Sequence, residues 1–171
     1  MAVVLIVEDG TSKTDANAYI SLADADTYHE ERLHVDTWTA STSTDDIKNR
    51  GIVQATLLLD SLVNWSGSNV DDDQALRWPR DGVYTPDGDE VDNDSIPTFL
   101  KNATAEYTRL LIASDRQADP STAGFKELRA GSLKMIVDKY DRVPVIPNSV
   151  WTMIQAYGAK ASGQNRILER V

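Results

Sequence analysis

The sequence predicts a mainly α-helical protein: a helical bundle with a small β-hairpin element and an extended C-terminal tail. Apolar residues recur at helical spacing in several separate segments, which indicates helices that each bury one face. A segment rich in turn residues separates two of them, and residues 158–171 carry few core-forming side chains. The length of 171 residues suits one domain, with or without an extended arm.

The first predicted helix spans residues 22–33. Ser21 precedes it as an N-cap, and Asp24 lies at the third helical position, which comes close to a capping box. Ala25 and Tyr28 then share one face of the helix.

The second predicted helix, residues 45–64, has the strongest periodic pattern in the chain. Thr44 precedes it as a cap, followed by two aspartates that favour a helix N-terminus. Its apolar stripe consists of Ile47, Gly51, Ala55, Leu58 and Leu62. A glycine at position 51 lowers helix stability unless another backbone packs closely there.

Residues 83–91 form the predicted hairpin, because Pro86, Asp87 and Gly88 are turn residues between two short extended stretches. A third helix follows, with Pro97 in its first turn and its end near Arg116. Its predicted buried stripe consists of Leu100, Ala103, Tyr107, Leu110 and Leu111.

Two short strands are predicted on either side of Ala130-Gly131, although the apolar spacing there also fits a helix. A last short helix opens at Pro147, and Gly158 is predicted to close it at the C′ position. The chain therefore divides into a helical domain over residues 1–157 and a C-terminal arm over residues 158–171.

The formal net charge of -10 argues against a protein that grips nucleic acid over a wide surface. Such proteins draw their affinity from Lys and Arg residues that displace counterions from phosphates. A local basic patch remains compatible with this charge. On average, however, the chain repels a phosphate backbone.

The chain contains no cysteine, which excludes disulfides, thiolate nucleophiles and cysteine-based zinc sites. No stretch has about eighteen consecutive apolar residues, so no membrane partner is expected. The apolar run at the N-terminus has no basic flank and is too short for a convincing signal peptide, so we interpret it as a strand or a contact arm.

No catalytic motif or cofactor site is predicted, and the protein is not expected to be an enzyme. His29 and His34 are five residues apart, which places them about 140° apart on a helix, too far around it to share a metal ion. The aspartates of residues 71–73 and 87–94 do not follow a calcium-loop pattern.

The stretch "QALRWPRDGV", residues 74–83, allows two interpretations. Trp78 could stack on a nucleic-acid base while Arg77 and Arg80 hold phosphate, or it could anchor a loop on the helical core. Stacking sites usually combine several aromatic residues along a basic groove, whereas acidic residues flank this segment. The anchor is favoured, with Arg80 paired to a carboxylate of this chain or of a neighbouring copy.

The strings "EDGTSKTDANAYISLADADTYHEERL", "QATLLLD", "QALRWPRDGV", "IPTFLKNATAEYTRLL" and "IPNSVWTMIQAYG" resemble a tailed-bacteriophage head–tail connector protein, also called an adaptor, neck or head-completion protein. Sequences of this group are often labelled DnaT-like single-stranded DNA-binding proteins. The resemblance spans nearly the whole chain, and its most specific part runs from Gln74 to Gly82.

The resemblance implies a structural protein of the virion neck, assembled in the host cytoplasm, with residues 1–157 as the connector domain. Its partners would be further copies in a ring, implied to be a dodecamer, together with the portal protein and the next neck or tail-completion protein. Genomic double-stranded DNA would pass through the lumen without sequence-specific binding. Trp78, Arg80 and Trp151 are the expected anchor and subunit-interface residues.

In similar adaptors a C-terminal extension reaches the portal, and here that position falls within the predicted arm. The arm is basic and partly apolar, which suits docking on an acidic partner surface. The expected portal-binding residues are Arg166, Ile167, Leu168, Arg170 and Val171. The alternative function is that of a single-stranded DNA-binding accessory protein in replication.

Overall fold

A computed structural model describes residues 3–118 and 143–161, together with two strands that lie between these ranges. Within these residues the protein is mixed α/β with little sheet. The helices are α1 (Leu22–Glu30), α2 (Asp36–Thr39), α3 (Asp45–Leu62), α4 (Thr98–Ala113) and α5 (Asn148–Ile154). The strands are β1 (Val63–Trp65), β2 (Ser68–Asn69), β3 (Arg80–Asp81), β4 (Glu127–Ala130), β5 (Leu133–Ile136) and β6 (Gly158–Lys160).

Helix α4 is the centre of the described fold. It packs most extensively against α3 and α5, and it also contacts α1 and α2. The predicted combination of several helices with a small amount of β-structure is confirmed, whereas the mainly α class and the bundle geometry stay predictions. No helix in the described part of the chain is long and apolar enough to cross a membrane.

Helix α1 begins as predicted but ends three residues earlier. The Ser21 side chain accepts a hydrogen bond from the Asp24 backbone N–H at 3.1 Å, which confirms the N-cap. At the other end, the Arg32 N–H donates to the carbonyl of His29, only three residues back. This tight turn ends the helix, and His34 beyond it takes a left-handed φ of 60°. The two histidines therefore do not share a helix.

Gly51 lies where α3 meets α4. A Cβ atom placed on Gly51 would come within 2.8 Å of the Thr108 Cγ2 atom, which belongs to a buried residue of α4. The close neighbour is thus a side chain, whereas the sequence pattern predicted a backbone. The glycine permits the crossing because it has no side chain of its own.

Helices α4 and α5 both begin directly after a proline. Pro97 and Pro147 are the N-cap residues, with φ values of -66° and -60°, and neither position provides a side-chain cap. The fixed φ of proline suits the entry to a helix. The predicted starts are confirmed within one residue, and α4 ends at Ala113 where Arg116 was expected.

Gly158 does not close the last helix, so this prediction is wrong. Helix α5 ends at Ile154, and Gly158 opens β6, which pairs antiparallel with β1 in the register Trp65 with Gly158. A Cβ atom on Gly158 would meet the Asn64 backbone oxygen at 2.8 Å, so the close strand contact requires glycine. The first three residues of the predicted arm therefore belong to the folded part, whereas residues 162–171 lie outside the described residues.

The other sheets are equally small. Strands β2 and β3 pair antiparallel, and so do β4 and β5, at the strand pair predicted around residues 130–131. The predicted hairpin at residues 83–91 is a tight loop. It is closed by a single β-bridge between Tyr84 and Glu90 and has no extended strand within these residues. The Val91 N–H donates to the Val83 carbonyl at its base.

Candidate functional site

The segment from Gln74 to Gly82 packs on the C-terminal half of α3, and Trp78 is its anchor. The Trp78 side chain is 0% exposed. Its ring lies edge-on to Trp65 and to Phe99, with centroid distances of 5.7 and 5.6 Å. Such arrangements add to the stabilisation that burial of a large aromatic provides. A ring enclosed in this way leaves no face on which a nucleic-acid base or a neighbouring subunit could stack.

A polar network holds this segment to α3. The Tyr19 hydroxyl donates to Asp60 Oδ1 at 2.5 Å, and the Arg77 backbone N–H donates to Asp60 Oδ2 at 3.0 Å. The Trp78 backbone N–H in turn donates to the Tyr19 hydroxyl oxygen at 3.2 Å. One carboxylate on α3 thus fixes both the N-terminal segment and the entry to the anchor.

Burial controls the ionisation of this network. It raises the pKa of the Asp60 carboxyl to about 6, because desolvation outweighs the hydrogen bonds from Tyr19 and Arg77. Burial and the neighbouring Asp60 charge raise the pKa of the Tyr19 hydroxyl well above its usual value. Near neutral pH, Tyr19 is therefore a neutral donor, and Asp60 is mostly ionised.

Sequence reasoning missed Tyr19 and Asp60, which are 41 residues apart. One signal was present: Asp60 interrupts the apolar run "TLLLDSLV" of the predicted helix. A carboxylate in such a run either faces solvent or requires a buried partner. The identity of that partner depends on the tertiary fold.

Gln74 shapes the loop from inside. Its side-chain amide nitrogen donates to the carbonyls of Leu76 and Pro79, at 2.7 and 3.1 Å. Its amide oxygen accepts from the Asp71 N–H at 3.0 Å. These bonds satisfy loop backbone groups that secondary structure does not reach.

Arg80 is 7% exposed and bonds only to neutral oxygen atoms. Within the described residues, its guanidinium donates to the carbonyls of Ser66, Gly67 and Arg77 and to the side-chain oxygen of Asn69. The expected pairing with a carboxylate of this chain is therefore wrong for the described part. Burial, and next the charge of Arg77, lower the pKa of the Arg80 guanidinium.

Two clefts border this network at the surface, with volumes of about 340 and 310 Å³. Asp60, Ser61 and Arg77 line both of them. The first cleft adds apolar side chains, including Leu57 and Leu76, whereas the second adds Asn64, Trp65 and Arg80. Among the residues that line both clefts, Arg77 is exposed to solvent.

The other predicted site residues lie elsewhere. Trp151 on α5 is half-buried, and the Lys160 Nζ atom lies 4.9 Å from its ring centroid. Arg166, Ile167, Leu168, Arg170 and Val171 lie outside the described residues, so their role at the portal stays a prediction.

The histidines form no metal centre in the part of the chain that the structure describes. His29 is 1% exposed and packs against Trp38, with 4.4 Å between ring centroids. Its Nε2 atom lies 3.2 Å from the Ala105 carbonyl oxygen, and burial lowers the pKa of the imidazole. His29 is thus a core residue in the described structure.

The charge of the fully described ranges, residues 3–118 and 143–161, is more negative than that of the whole chain. These ranges contain 22 Asp and Glu residues against 10 Lys and Arg residues, a difference of -12. Lys13, Lys48, Arg50 and Arg109 each pair with an acidic side chain. The basic groove that base stacking would need is therefore not formed by these residues.

The fold and this network define a small mixed α/β protein with little sheet, in which a tryptophan-anchored loop is fixed to helix α3. The chain belongs to the family described as "Putative DnaT-like ssDNA binding protein", whose model matches residues 3–161. A search of curated proteins found no match to the chain, and a search of solved structures found none either.

Proposed function

We propose that the protein is a structural component of a phage virion, a head–tail connector that forms a ring on the portal vertex. The observation that carries this proposal is the charge of the fully described ranges, -12, in a protein whose family name associates it with DNA. Like charges repel, so an acidic wall lets a duplex pass with little adhesion. The resemblance of the sequence to connector proteins supports the same function.

In this proposal each copy joins its neighbours by rotational symmetry, which closes a ring around the DNA. The ring lies in the virion neck, and the next neck or tail-completion protein binds its far side. The C-terminal arm supplies the contact to the portal through its basic and apolar residues. Because Trp78 is enclosed by its own chain, its part is to fix the loop, and the more exposed Trp151 is better placed to meet a neighbour.

The second candidate is a single-stranded DNA-binding accessory protein of replication. The family description favours it, and does so more directly than any comparison favours the connector. This function requires a DNA-binding surface that excludes Trp78, since the ring is 0% exposed. Residues outside 3–118 and 143–161 carry 7 Lys and Arg residues against 5 Asp and Glu residues, so a basic surface would have to draw on them.

Fluorescence anisotropy with a labelled single-stranded oligonucleotide separates the two candidates. A replication accessory protein binds in the micromolar range or tighter at low salt, and its affinity falls steeply as salt rises. A connector shows no saturable binding at either salt concentration. Salt-sensitive, saturable binding would overturn the connector as the leading function.

Association with portal-containing capsids tests the connector directly. We expect wild-type protein to sediment with them and a variant with Arg166→Gln and Arg170→Gln to remain unbound. The matched control, Arg32→Gln with Arg50→Gln, removes the same charge from two exposed positions of the described domain and should bind normally. Equal binding of both variants would contradict the proposed arm contact, and no binding of wild-type protein would contradict the connector.

A further inference from the structure

Arg80 carries a positive charge that no described carboxylate compensates through direct contact. Its guanidinium makes four hydrogen bonds, all to neutral oxygens, while the residue is 7% exposed. Buried charges in proteins are normally paired, because an unpaired charge loses hydration without replacement. Arg80 also lines the cleft of about 310 Å³, so its charge lies at the wall of this cleft.

Arg77 adds a second cation at the same cleft. Its side chain is exposed and forms no salt bridge with a described residue, in contrast to Lys13, Lys48, Arg50 and Arg109. The Arg80 guanidinium donates to the Arg77 backbone carbonyl at 3.0 Å, and the charge of Arg77 helps to lower the pKa of Arg80. Two like charges held together this way favour an anion between them.

Asp60 is the acidic residue that lines this cleft, and its oxygens are already engaged. One accepts from the Tyr19 hydroxyl and the other from the Arg77 backbone N–H. The carboxylate thus fixes the loop backbone and makes no salt bridge to either guanidinium. Ser61 and Asn64 add further polar groups to the lining. The cleft carries two positive charges and one negative charge on a chain that is otherwise strongly acidic.

We propose that the cleft lined by Asp60, Ser61, Asn64, Trp65, Arg77 and Arg80 binds a phosphate group. The planar guanidinium of Arg77 matches phosphate oxygens in a two-point contact, and Arg80 adds its charge from the cleft wall. The volume of about 310 Å³ leaves room beside a single phosphate for an attached nucleoside. This inference goes beyond the connector function, and the two fail separately. Loss of phosphate binding would overturn the site alone, whereas saturable binding of an oligonucleotide through Arg77 would support the site and overturn the connector.

Titration of the full chain with sodium phosphate tests the site, at constant ionic strength kept with sodium chloride. The indole N–H resonance of Trp65 serves as the reporter and is assigned with a Trp65→Phe variant. We expect a saturable shift in wild-type protein. Arg77→Gln should weaken the binding at least about tenfold, as expected for loss of a charge-assisted hydrogen bond.

Two further variants make the result specific. Asn64→Asp places a negative charge at an exposed position of the cleft and should weaken binding similarly. Arg50→Gln removes an arginine ten residues before Asp60 on α3, about 15 Å away along the helix axis, and should change the affinity less than twofold. The circular dichroism of each variant confirms that it is folded.

Three further probes identify the source of the phosphate. Thymidine should not bind, whereas thymidine monophosphate should bind at least as well as inorganic phosphate. If a (dT)12 oligonucleotide binds tenfold more tightly than the monophosphate, with the same dependence on Arg77, the natural ligand is a DNA backbone. Saturable binding of the monophosphate without saturable binding of (dT)12 identifies a free phosphate or mononucleotide.

Three results would overturn the proposal. The first is no saturable shift in wild-type protein at tens of millimolar phosphate. The second is equal binding by the Arg77→Gln and Arg50→Gln variants. The third is a Trp65 shift that depends on protein concentration and not on phosphate, which would show that self-association of the chain, rather than an anion, changes the cleft.

Discussion

Asp60 connects segments that are distant in the sequence, and the stability it contributes depends on pH. Its carboxylate accepts from Tyr19 and from the backbone of Arg77, so it holds both the N-terminal segment and the anchor loop on α3. Burying the Asp60 carboxylate costs free energy, because its charge loses hydration. At the scale of single residues, this network and the buried Trp78 fix the loop on α3.

We expect Asp60→Asn to remove a pH dependence of stability. The folded-state pKa is raised from 3.8 to about 6, so the folded protein binds the proton more tightly than the unfolded chain does. Stability from this group is therefore complete below about pH 4 and is lost as pH rises through 6. The difference is on the order of 3 kcal/mol.

Urea unfolding of both proteins at pH 4 and pH 7 measures this effect. Relative to wild type, the Asn variant should be more stable at pH 7 than at pH 4. This holds even if loss of an acceptor for the Arg77 N–H lowers the variant's stability at both pH values. A relative stability that is the same at both pH values would contradict the raised pKa.

At the scale of elements, the α3–α4 contact depends on the absence of a side chain at position 51. A helix normally gains about 1 kcal/mol when glycine is replaced by alanine. Here the added Cβ would lie 2.8 Å from Thr108 Cγ2 in a fully buried position, so neither helix can yield cheaply. Local propensity and tertiary packing therefore oppose each other at this residue.

We expect Gly51→Ala to destabilise the protein by about 1 kcal/mol or more, because overpacking of about 1–3 kcal/mol exceeds the gain in propensity. Thermal or urea denaturation measures the change. In a Thr108→Ser background, which lacks the Cγ2 methyl group, the same substitution should cost less or become stabilising. An equal cost in both backgrounds would show that the contact does not determine the effect.

The short sheet of β1 and β6 gives a second prediction at this scale. Ending the chain after Ala161 leaves the pairing of Val63–Trp65 with Gly158–Lys160 intact and should preserve the melting temperature within about 2 °C. Ending it after Tyr157 removes β6 and exposes the edge of β1, so the melting temperature should fall by several degrees. Equal melting temperatures would mean that β6 adds nothing to stability.

At the scale of the whole molecule, the excess of negative charge opposes the compact state. Four of the described basic residues are engaged in salt bridges, and the surplus carboxylates repel one another. Such repulsion favours solubility but destabilises a folded chain. It also restricts which partners can approach, which is why the connector and the single-stranded DNA-binding function predict opposite results with oligonucleotides.

We therefore expect sodium chloride to stabilise the protein. Screening shortens the range of repulsion from about 30 Å at 10 mM salt to about 8 Å at 150 mM. The melting temperature should rise by a few degrees over this range, as measured by differential scanning calorimetry at pH 7. At pH 4.5, near the isoelectric point, the rise should be much smaller. A melting temperature that falls with salt would indicate that favourable ion pairs outweigh the repulsion.

Local patterns in the sequence predicted helices α1, α3, α4 and α5, their starts and the acidic character of the chain, but not the short helix α2. Ser21, Pro97 and Pro147 act within one turn of themselves, so their effect can be predicted without a fold. The helical stripes follow from periodicity alone. The position of Trp78 as an anchor rather than a stacking platform was also favoured from its acidic neighbours.

Only the tertiary structure decided which distant residues meet. The bond between Tyr19 and Asp60, the packing of Gly51 against Thr108, and the pairing of Gly158 with β1 all join segments far apart in the chain. The neutral surroundings of Arg80 likewise replaced the expected carboxylate. Periodicity and capping report on neighbours within a few residues, whereas such contacts depend on how whole elements pack, and that is why the cleft beside Arg77 could not be predicted.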